Sequence, residues 1–458
     1  MIKKKNISNL LILFLASHLT IWTLVPALSN LNLPLDTIEA LAWGSNLAWG
    51  FEKHPPFSAF VVEFFYQIFG SQDWAYYLLS QLFVVISFFI VWKFSEDFFK
   101  EKIYSLFSVL LLEGIYFYNA TTPEFNVNVC QLPFWAATVY FCWKSINTNK
   151  FKDWALFGFF AGLGFLSKYL FIYLLIALAA FIIKKMIKER KVNPRTWIPL
   201  SIFFLVISPH LLWLTENNFS TIFYALGRTE LVNANFLKHL INPVLFFGKQ
   251  MVILIPTLLM LCLIISKIKV KINIKDKKFQ YLIFVTLIPL LLLILTSILT
   301  GATIRTMWVT PFYLFIGVFL LYLFKEKIIL KITKKFLFSF LFLFFLSPAL
   351  YLYISVSQKT KRTDYPGSEI AYLVQSKWDK NFSNEISFIV GEEWFGGNLS
   401  YHLNSRPRWF NKLGKNVKTI DIQGGVIYTG TNIKVLKEIC PGVFGVIQPA
   451  GYCMIGVK

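Results

Sequence analysis

Residues 154–183 read WALFGFFAGLGFLSKYLFIYLLIALAAFII, an apolar run broken only near its middle, at Ser167-Lys168. An α-helix rises ~1.5 Å per residue and the hydrocarbon core of a bilayer is ~30 Å thick, so about 20 residues cross it. The run is therefore either one long tilted helix or a tight hairpin of two short ones. Its flank decides. A basic cluster follows at 184–195, and a single helix would carry it to the membrane face opposite the other basic clusters. A hairpin keeps those clusters together and turns at Lys168 on the far face. Lys and Arg remain on the cytoplasmic side of membrane proteins, which favours the hairpin.

Worked outward from there, the hydropathy predicts spans near 10–28, 76–94, 103–119, 129–146, 154–167, 169–183, 197–214, 243–265, 280–299, 306–324 and 336–356, eleven in all. The 458 residues are 56% apolar and 18% aromatic, with a mean hydropathy of +0.59. This is an all-α polytopic membrane protein, because only helices or closed barrels satisfy their backbone in lipid. The net charge of +21 would suit a nucleic-acid partner. Most of the 45 Lys and Arg, however, fall in 3–5, 93–102, 144–152, 184–195, 267–278 and 325–335, all cytoplasmic in this topology. Charge asymmetry across the membrane explains the excess, and nucleic acid is not needed. The first helix carries His18 and ends without a small-residue cleavage site, so it reads as a retained signal-anchor.

Three outward segments are long: 29–75, 215–242 and the tail, 357–458. In the first, Leu41, Leu47, Phe57, Phe60, Val61 and Phe64 alternate with polar residues and Pro55-Pro56 interrupts, predicting two short helices in the interface plane. The domain division expected is 1–356 in the membrane and a small α/β domain over 357–458. In that domain 368–378 is helical and 386–390, 426–428 and 443–448 are strands. Cys130, Cys142 and Cys262 fall in spans, where a thiol is a small core residue. Cys440 and Cys453 fall in the tail and could be bridged or free.

Chemistry concentrates in the first outward segment: Asp36-Thr-Ile-Glu39, then Trp43, Gly50 and Phe51-Glu-Lys-His-Pro-Pro56. Carboxylates beside cations at a membrane surface suit a lipid-borne anionic substrate. The order also resembles the first loop of bacterial protein mannosyltransferase-like proteins, the group that includes the lipid A aminoarabinose transferases. Further pieces resemble the same family: Gly162-Leu-Gly-Phe-Leu-Ser-Lys168-Tyr; Pro209-His-Leu-Leu-Trp213 with Glu216-Asn-Asn and Arg228; Gly301 to Pro311 with Arg305 and Trp308; and in the tail Arg362-Thr-Asp-Tyr-Pro-Gly367, Trp378 and Gly391-Glu-Glu-Trp394.

The resemblance implies a C-type membrane glycosyltransferase in a bacterial inner membrane, with its tail in the periplasm. It would take a sugar from a polyprenyl phosphate and pass it to a hydroxyl of lipid A or another lipid or envelope glycan. Asp36 would draw the acceptor proton. Lys53, Lys168, Arg228 and Arg305, scarce cations on the outward side, would clamp the phosphate. The chain departs from the family in two places. Thr37 replaces a second acid, leaving Glu39 or Glu52 as the partner carboxylate, and Asn128 stands where an Asp often precedes Trp135, with Glu124 nearby. A divalent metal ion is the one cofactor these residues suggest, on Glu52 and His54 with His239 as a further ligand.

Each residue also has a plainer reading. Asp36 and Glu39 could favour a helix N-terminus, Lys53 and Lys168 could snorkel from short helices, and His54 could bond to backbone in a proline turn. Two rivals to the enzyme are a transporter or flippase of lipid-linked saccharides, which would carry ionisable residues in mid-span and an internal repeat, and an assembly protein whose tail binds partners. The topology is directly testable. A cysteine introduced at position 36 should react with an impermeant maleimide added from outside the cytoplasm, and labelling only after the inner face is exposed would refute it.

Overall fold

A computed structural model describes residues 4–229, 236–266, 272–328, 333–411 and 424–458. Lys267, Lys269, Lys271 and Lys331 of the predicted basic clusters lie outside these residues. The run at 154–183 folds as two helices. Phe151–Ser167 stops at Lys168, whose backbone is extended (φ −164°, ψ 135°), and after one 3-10 turn Ile172–Glu189 continues. A Cβ on Gly164 would lie 2.1 Å from the ring of Phe171, so glycine there lets the chain close on itself.

The helix ends sort as the hairpin requires. At one end Lys277 Nζ donates to Asn147 Oδ1 (2.7 Å), Asn193 Nδ2 to Asn149 Oδ1 (2.7 Å) and Tyr322 OH to Asp276 (2.5 Å). At the other, Asp36, Lys53, Lys168, Arg305 and Thr363 border one cavity. A single helix over 151–189 would have put Lys150 and Glu189 at opposite ends.

Among the described residues, six helices are long and apolar enough to cross a membrane: Asn6–Ser29, Asp73–Glu96, Tyr169–Glu189, Pro194–Glu216, Lys238–Cys262 and Lys334–Ser357. Two bent pairs, Lys277–Thr286 with Ile288–Thr300 (41°) and Thr306–Tyr313 with Ile316–Phe324 (53°), bring this to eight. Pro289 and Pro311 sit beside the breaks and remove backbone donors there. The other three predicted segments form helices of 17 residues or fewer. The 103–119 segment is helical over Lys102–Leu110 and then passes into 3-10 turns; Leu132–Thr148 and Phe151–Ser167 have 17 residues each. Leu132–Thr148 is largely buried against other helices, which replace the lipid that a full-length span would meet.

The first outward segment forms Leu35–Gly44 and Phe57–Phe69, split at the two prolines as expected. They do not lie bare at an interface. Ile38, Leu41, Ala42 and Trp43 are buried, and the tail covers them. The tail has a five-stranded sheet, β1 (Ile386–Gly391), β2 (Arg408–Phe410), β3 (Gly425–Gly430), β4 (Val443–Ile447) and β5 (Ala450–Ile455), in the order β2-β1-β3-β5-β4. β2, β1 and β3 run parallel, while β5 is antiparallel to β3 and β4. Its core of Ile370, Val374, Trp378, Ile389, Ile427 and Met454 continues through Phe395 and Leu399 to Trp43, Phe51 and Ala59 of the first segment. Arg406 pins the two together, donating to Glu63 (2.6 Å) and to the Leu41 carbonyl (2.6 Å) over the Tyr66 ring. At the other end of the first segment, a Cβ on Gly50 would lie 2.2 Å from the Trp213 ring, which fixes the loop against helix Trp197–Glu216.

Cys440 and Cys453 are bridged, joining the end of helix Ile433–Ile439 to β5 across 13 residues. A loop of that length constrains the unfolded chain by roughly 3 kcal/mol. Cys453→Ala should lower the melting temperature of the purified protein, and reductant should lower the wild type to the same value without affecting the variant.

Candidate active site

Where the outward segments meet the helix ends, a cavity of about 1510 Å³ opens. Asp36 enters it from the first turn of Leu35–Gly44. Its backbone N–H donates to Glu124 Oε1 (3.0 Å), so the two acids are neighbours. Thr37 stands where the resemblance implies a second acid. Its hydroxyl donates to the Phe125 carbonyl (3.1 Å) and anchors the loop that presents Glu124. The carboxylate that partners Asp36 is thus Glu124, 88 residues away.

Burial raises Asp36 above the usual carboxylate range, opposed by Lys168, Lys53, Arg362 and Arg228. Burial, reinforced by the charge of Asp36, pushes Glu124 up to about 8. Both acids are raised, and Asp36 has four cations acting against the rise where Glu124 has only Arg362, so Glu124 is the member more readily protonated.

Lys168 caps the break between its two helices and is 5% exposed. Its ammonium donates to Asn128 Oδ1 (2.5 Å) and lies 5.4 Å from the Trp308 ring. Asn126 caps the short helix Val127–Cys130 by accepting from the N–H groups of Asn128 and Val129, which fixes Asn128. Burial lowers Lys168 to about 7 against the pull of Asp36. With a neutral amide as its one hydrogen-bond acceptor among the described residues, this lysine is not neutralised by a contacting carboxylate. A snorkelling lysine would be exposed; this one is not.

Lys53 differs. It donates to Glu39 Oε1 (2.8 Å) and to Glu393 of the tail. Burial opposes its charge, but the hydrogen bonds to Glu39 and Glu393 outweigh that and raise it above its ordinary value. Burial and Glu39 push Glu393 up to about 7. Arg228, at the C-terminus of Ser220–Gly227, and Arg305, before the 3-10 helix Thr306–Tyr313, border the cavity as exposed guanidinium groups.

Two sequence readings change. Glu52 does not face the cavity; it is exposed, 3.4 Å from Asn411. Lys53 and His54 reach the cavity and Glu52 does not. His54 packs edge-on to Trp43, and burial together with Lys168, Lys53 and Arg228 lowers it to about 3. His239 lies against the Ile298 carbonyl (2.9 Å), away from the cavity lining. Among the described residues no three His, Cys, Asp or Glu side chains converge as metal ligands, so Glu52 and His54 do not fit the metal site suggested by the sequence.

A residue not foreseen as part of the site is Arg362. The segment after Lys334–Ser357 passes over the cavity, held where the Leu31 and Asn32 N–H groups donate to the Thr363 carbonyl (2.9 and 3.0 Å). Lys361 there is spent on Asp364 (3.0 Å) and the Ser355 carbonyl (2.8 Å), whereas Arg362 is exposed to the cavity and acts on both Asp36 and Glu124. Its motif was visible in the sequence; its destination was not.

A bundle of apolar helices with this cavity at one end and a capping α/β tail is the C-type glycosyltransferase fold, in a multi-pass membrane protein. The particular relatives agree. A family profile described as dolichyl-phosphate-mannose-protein mannosyltransferase matches residues 53–213. Among solved structures, the chain resembles ArnT from Cupriavidus metallidurans bound to undecaprenyl phosphate (TM-score 0.63, 11% identity, 98% of each chain covered) and the same protein in the apo state (TM-score 0.61, 10% identity, 98% of each covered). No curated protein sequence matches. The resemblance to protein mannosyltransferase-like and aminoarabinose transferase-like proteins, drawn above from short motifs, is shown by these matches.

The position of Lys168 sets a pH dependence. An anion binds its charged form, so in the absence of ligand the binding form is lost as pH rises through about 7. Affinity for an anion such as sulfate should fall by up to about tenfold per pH unit above 7. Lys168→Arg, which stays charged, should flatten that slope in a fluorescence titration.

Proposed function

We propose that the protein transfers a glycosyl group from a polyprenyl-phosphate donor to a hydroxyl of a lipid or envelope-glycan acceptor at the periplasmic face of a bacterial inner membrane. Lipid A is the acceptor most in keeping with the resemblance. The observation that carries this reading is the single cavity in which Asp36 and Glu124 adjoin Lys168, Lys53, Arg228, Arg305 and Arg362. The undecaprenyl phosphate bound to the similarly folded ArnT supports the donor class.

In this reading Lys168, Arg228 and Arg305, with Lys53, hold the phosphate and stabilise the charge that grows on it as the sugar departs. The acceptor hydroxyl loses its proton to Asp36 as its oxygen bonds to the anomeric carbon. The bond from that carbon to the phosphate oxygen breaks, with inversion, and the polyprenyl phosphate leaves with the electron pair. Glu124, protonated, keeps a second negative charge away from Asp36. Residues 1–356 would supply the membrane part and 357–458 the periplasmic cover.

The transporter reading has one observation in its favour, a buried pair in mid-span, His18 Nδ1 and Glu113 Oε1 at 2.7 Å. The pair lies off the cavity lining and is held by Asn119, which donates to the Glu113 carbonyl (2.9 Å). It ties helices together and offers no path, so the enzyme reading is preferred.

In detergent, with labelled polyprenyl-phosphate sugars and a membrane lipid extract as acceptor, Asp36→Asn should lower release of free polyprenyl phosphate by roughly 10²–10⁴ while retaining donor binding. Lys168→Ala should weaken donor binding itself. Equal release by wild type and Asp36→Asn would remove Asp36 as the base.

A further inference from the structure

Among the described residues, Lys53 is the cavity cation whose charge is shared between two carboxylates, and one of these comes from the tail. Glu39 stands on Leu35–Gly44 and borders the cavity with Lys53; Glu393, the first residue of helix Glu393–His402, does not border it. The ammonium reaches both, at 2.8 Å from Glu39 and in a close contact with Glu393. The Trp43 indole donates to the other oxygen of Glu393 (3.3 Å) and fixes its direction. The helix that bears Glu393 is itself seated, since a Cβ on its Gly397 would lie 2.9 Å from Ile38 and 3.2 Å from Ala42.

An arriving phosphate therefore meets an ammonium already committed. Two of the ammonium's three donors and most of its charge are engaged by these carboxylates, so drawing Lys53 fully onto the phosphate means loosening one of them; Glu39 and Lys53 lie in the same short segment, so the contact from the distant tail is the one that can open without moving the cavity wall. We propose that Glu393 is a positioning residue for Lys53, holding the ammonium at the cavity edge in the empty protein and yielding it to the donor's phosphate. The exchange breaks one N–H···O contact and forms another, with no covalent change. Through it the tail sets the affinity for the lipid-linked anion. The inference rests on the reading of Lys53 as part of the phosphate clamp.

Undecaprenyl phosphate, titrated into the full-length protein in detergent and followed by tryptophan fluorescence, tests it. Glu393→Gln should bind up to about fivefold more tightly than wild type, the range for a partly exposed ion pair. Lys53→Gln should bind more weakly, and adding Glu393→Gln to it should change nothing further. A purely structural contact would move the melting temperature and not produce tighter binding that depends on Lys53. Unchanged or weaker binding by a folded Glu393→Gln, with Lys53→Gln still weakened, overturns the inference and leaves the clamp standing. Wild-type affinity in Lys53→Gln overturns the clamp reading. Should Glu393→Gln lose the native melting profile, Glu393→Asp, which keeps the charge but withdraws it by one methylene, carries the comparison and should show a smaller gain in the same direction; unchanged or weaker binding there also overturns the inference.

Discussion

A lysine set in the middle of an apolar run cannot be left facing hydrocarbon, where a charge costs about 2.5–3.5 kcal/mol even on insertion scales. Lys168 is that lysine, and the surrounding architecture follows from accommodating it. The chain must break there, so the run becomes two helices. The break must face protein rather than lipid, so it turns toward the cavity, where Asn128 accepts from it and the Trp308 ring lies 5.4 Å away. Because the helices on either side return to the same end of the bundle, the basic clusters stay together and the outward loops gather at the other end. The same constraint that sets the topology places a buried ammonium in the cavity.

The cavity's electrostatics suit an anion. Among the described residues its lining carries six Lys and Arg against three Asp and Glu. The lowered His54 adds no charge at neutral pH, and the raised Glu124 removes a negative one. Burial favours the neutral form of acids and bases alike, and Asp36 is the acid on which the most cations act against it. An arrangement of that kind can take a proton from a neutral hydroxyl while tolerating a phosphate nearby. With the two carboxylates alone it could not.

Much of this was legible in the sequence, and what was not has identifiable causes. The turn at Lys168, the split at Pro55-Pro56, the sheet segments of the tail and the membership of Asp36, Glu39, Lys53, His54, Arg228 and Arg305 in one cavity follow from local pattern or from short motifs. The number of full-length spans did not, because Leu132–Thr148 is sheltered by other helices and the segment predicted at 103–119 leaves the α-helix after Leu110 for 3-10 turns. Glu52 was misread because sharing a turn with Lys53 and His54 does not carry it to the cavity they line. Arg362 and Glu393 were missed as site residues because they approach from 326 and 340 positions beyond Asp36 and Lys53, a distance over which no periodicity carries information.

The two departures from the family's acidic pattern have a common consequence. With Thr37 in place of an acid, the hydroxyl ties Leu35–Gly44 to the loop at Phe125 and brings Glu124 against Asp36, so a paired carboxylate is regained from a different segment. With Asn128 in place of an acid, Lys168 keeps a hydrogen-bond acceptor but gains no contacting counter-charge. A carboxylate at 128 would have neutralised the buried ammonium, much as Glu39 and Glu393 neutralise Lys53. The substitutions therefore shift where the negative charge sits. Glu124 supplies Asp36 with a readily protonated partner, while the deep lysine has an amide rather than a carboxylate in contact. A buried, unneutralised cation is unfavourable in an empty cavity and favourable once an anion arrives, so part of the stability forgone in the empty fold is returned as affinity for the ligand.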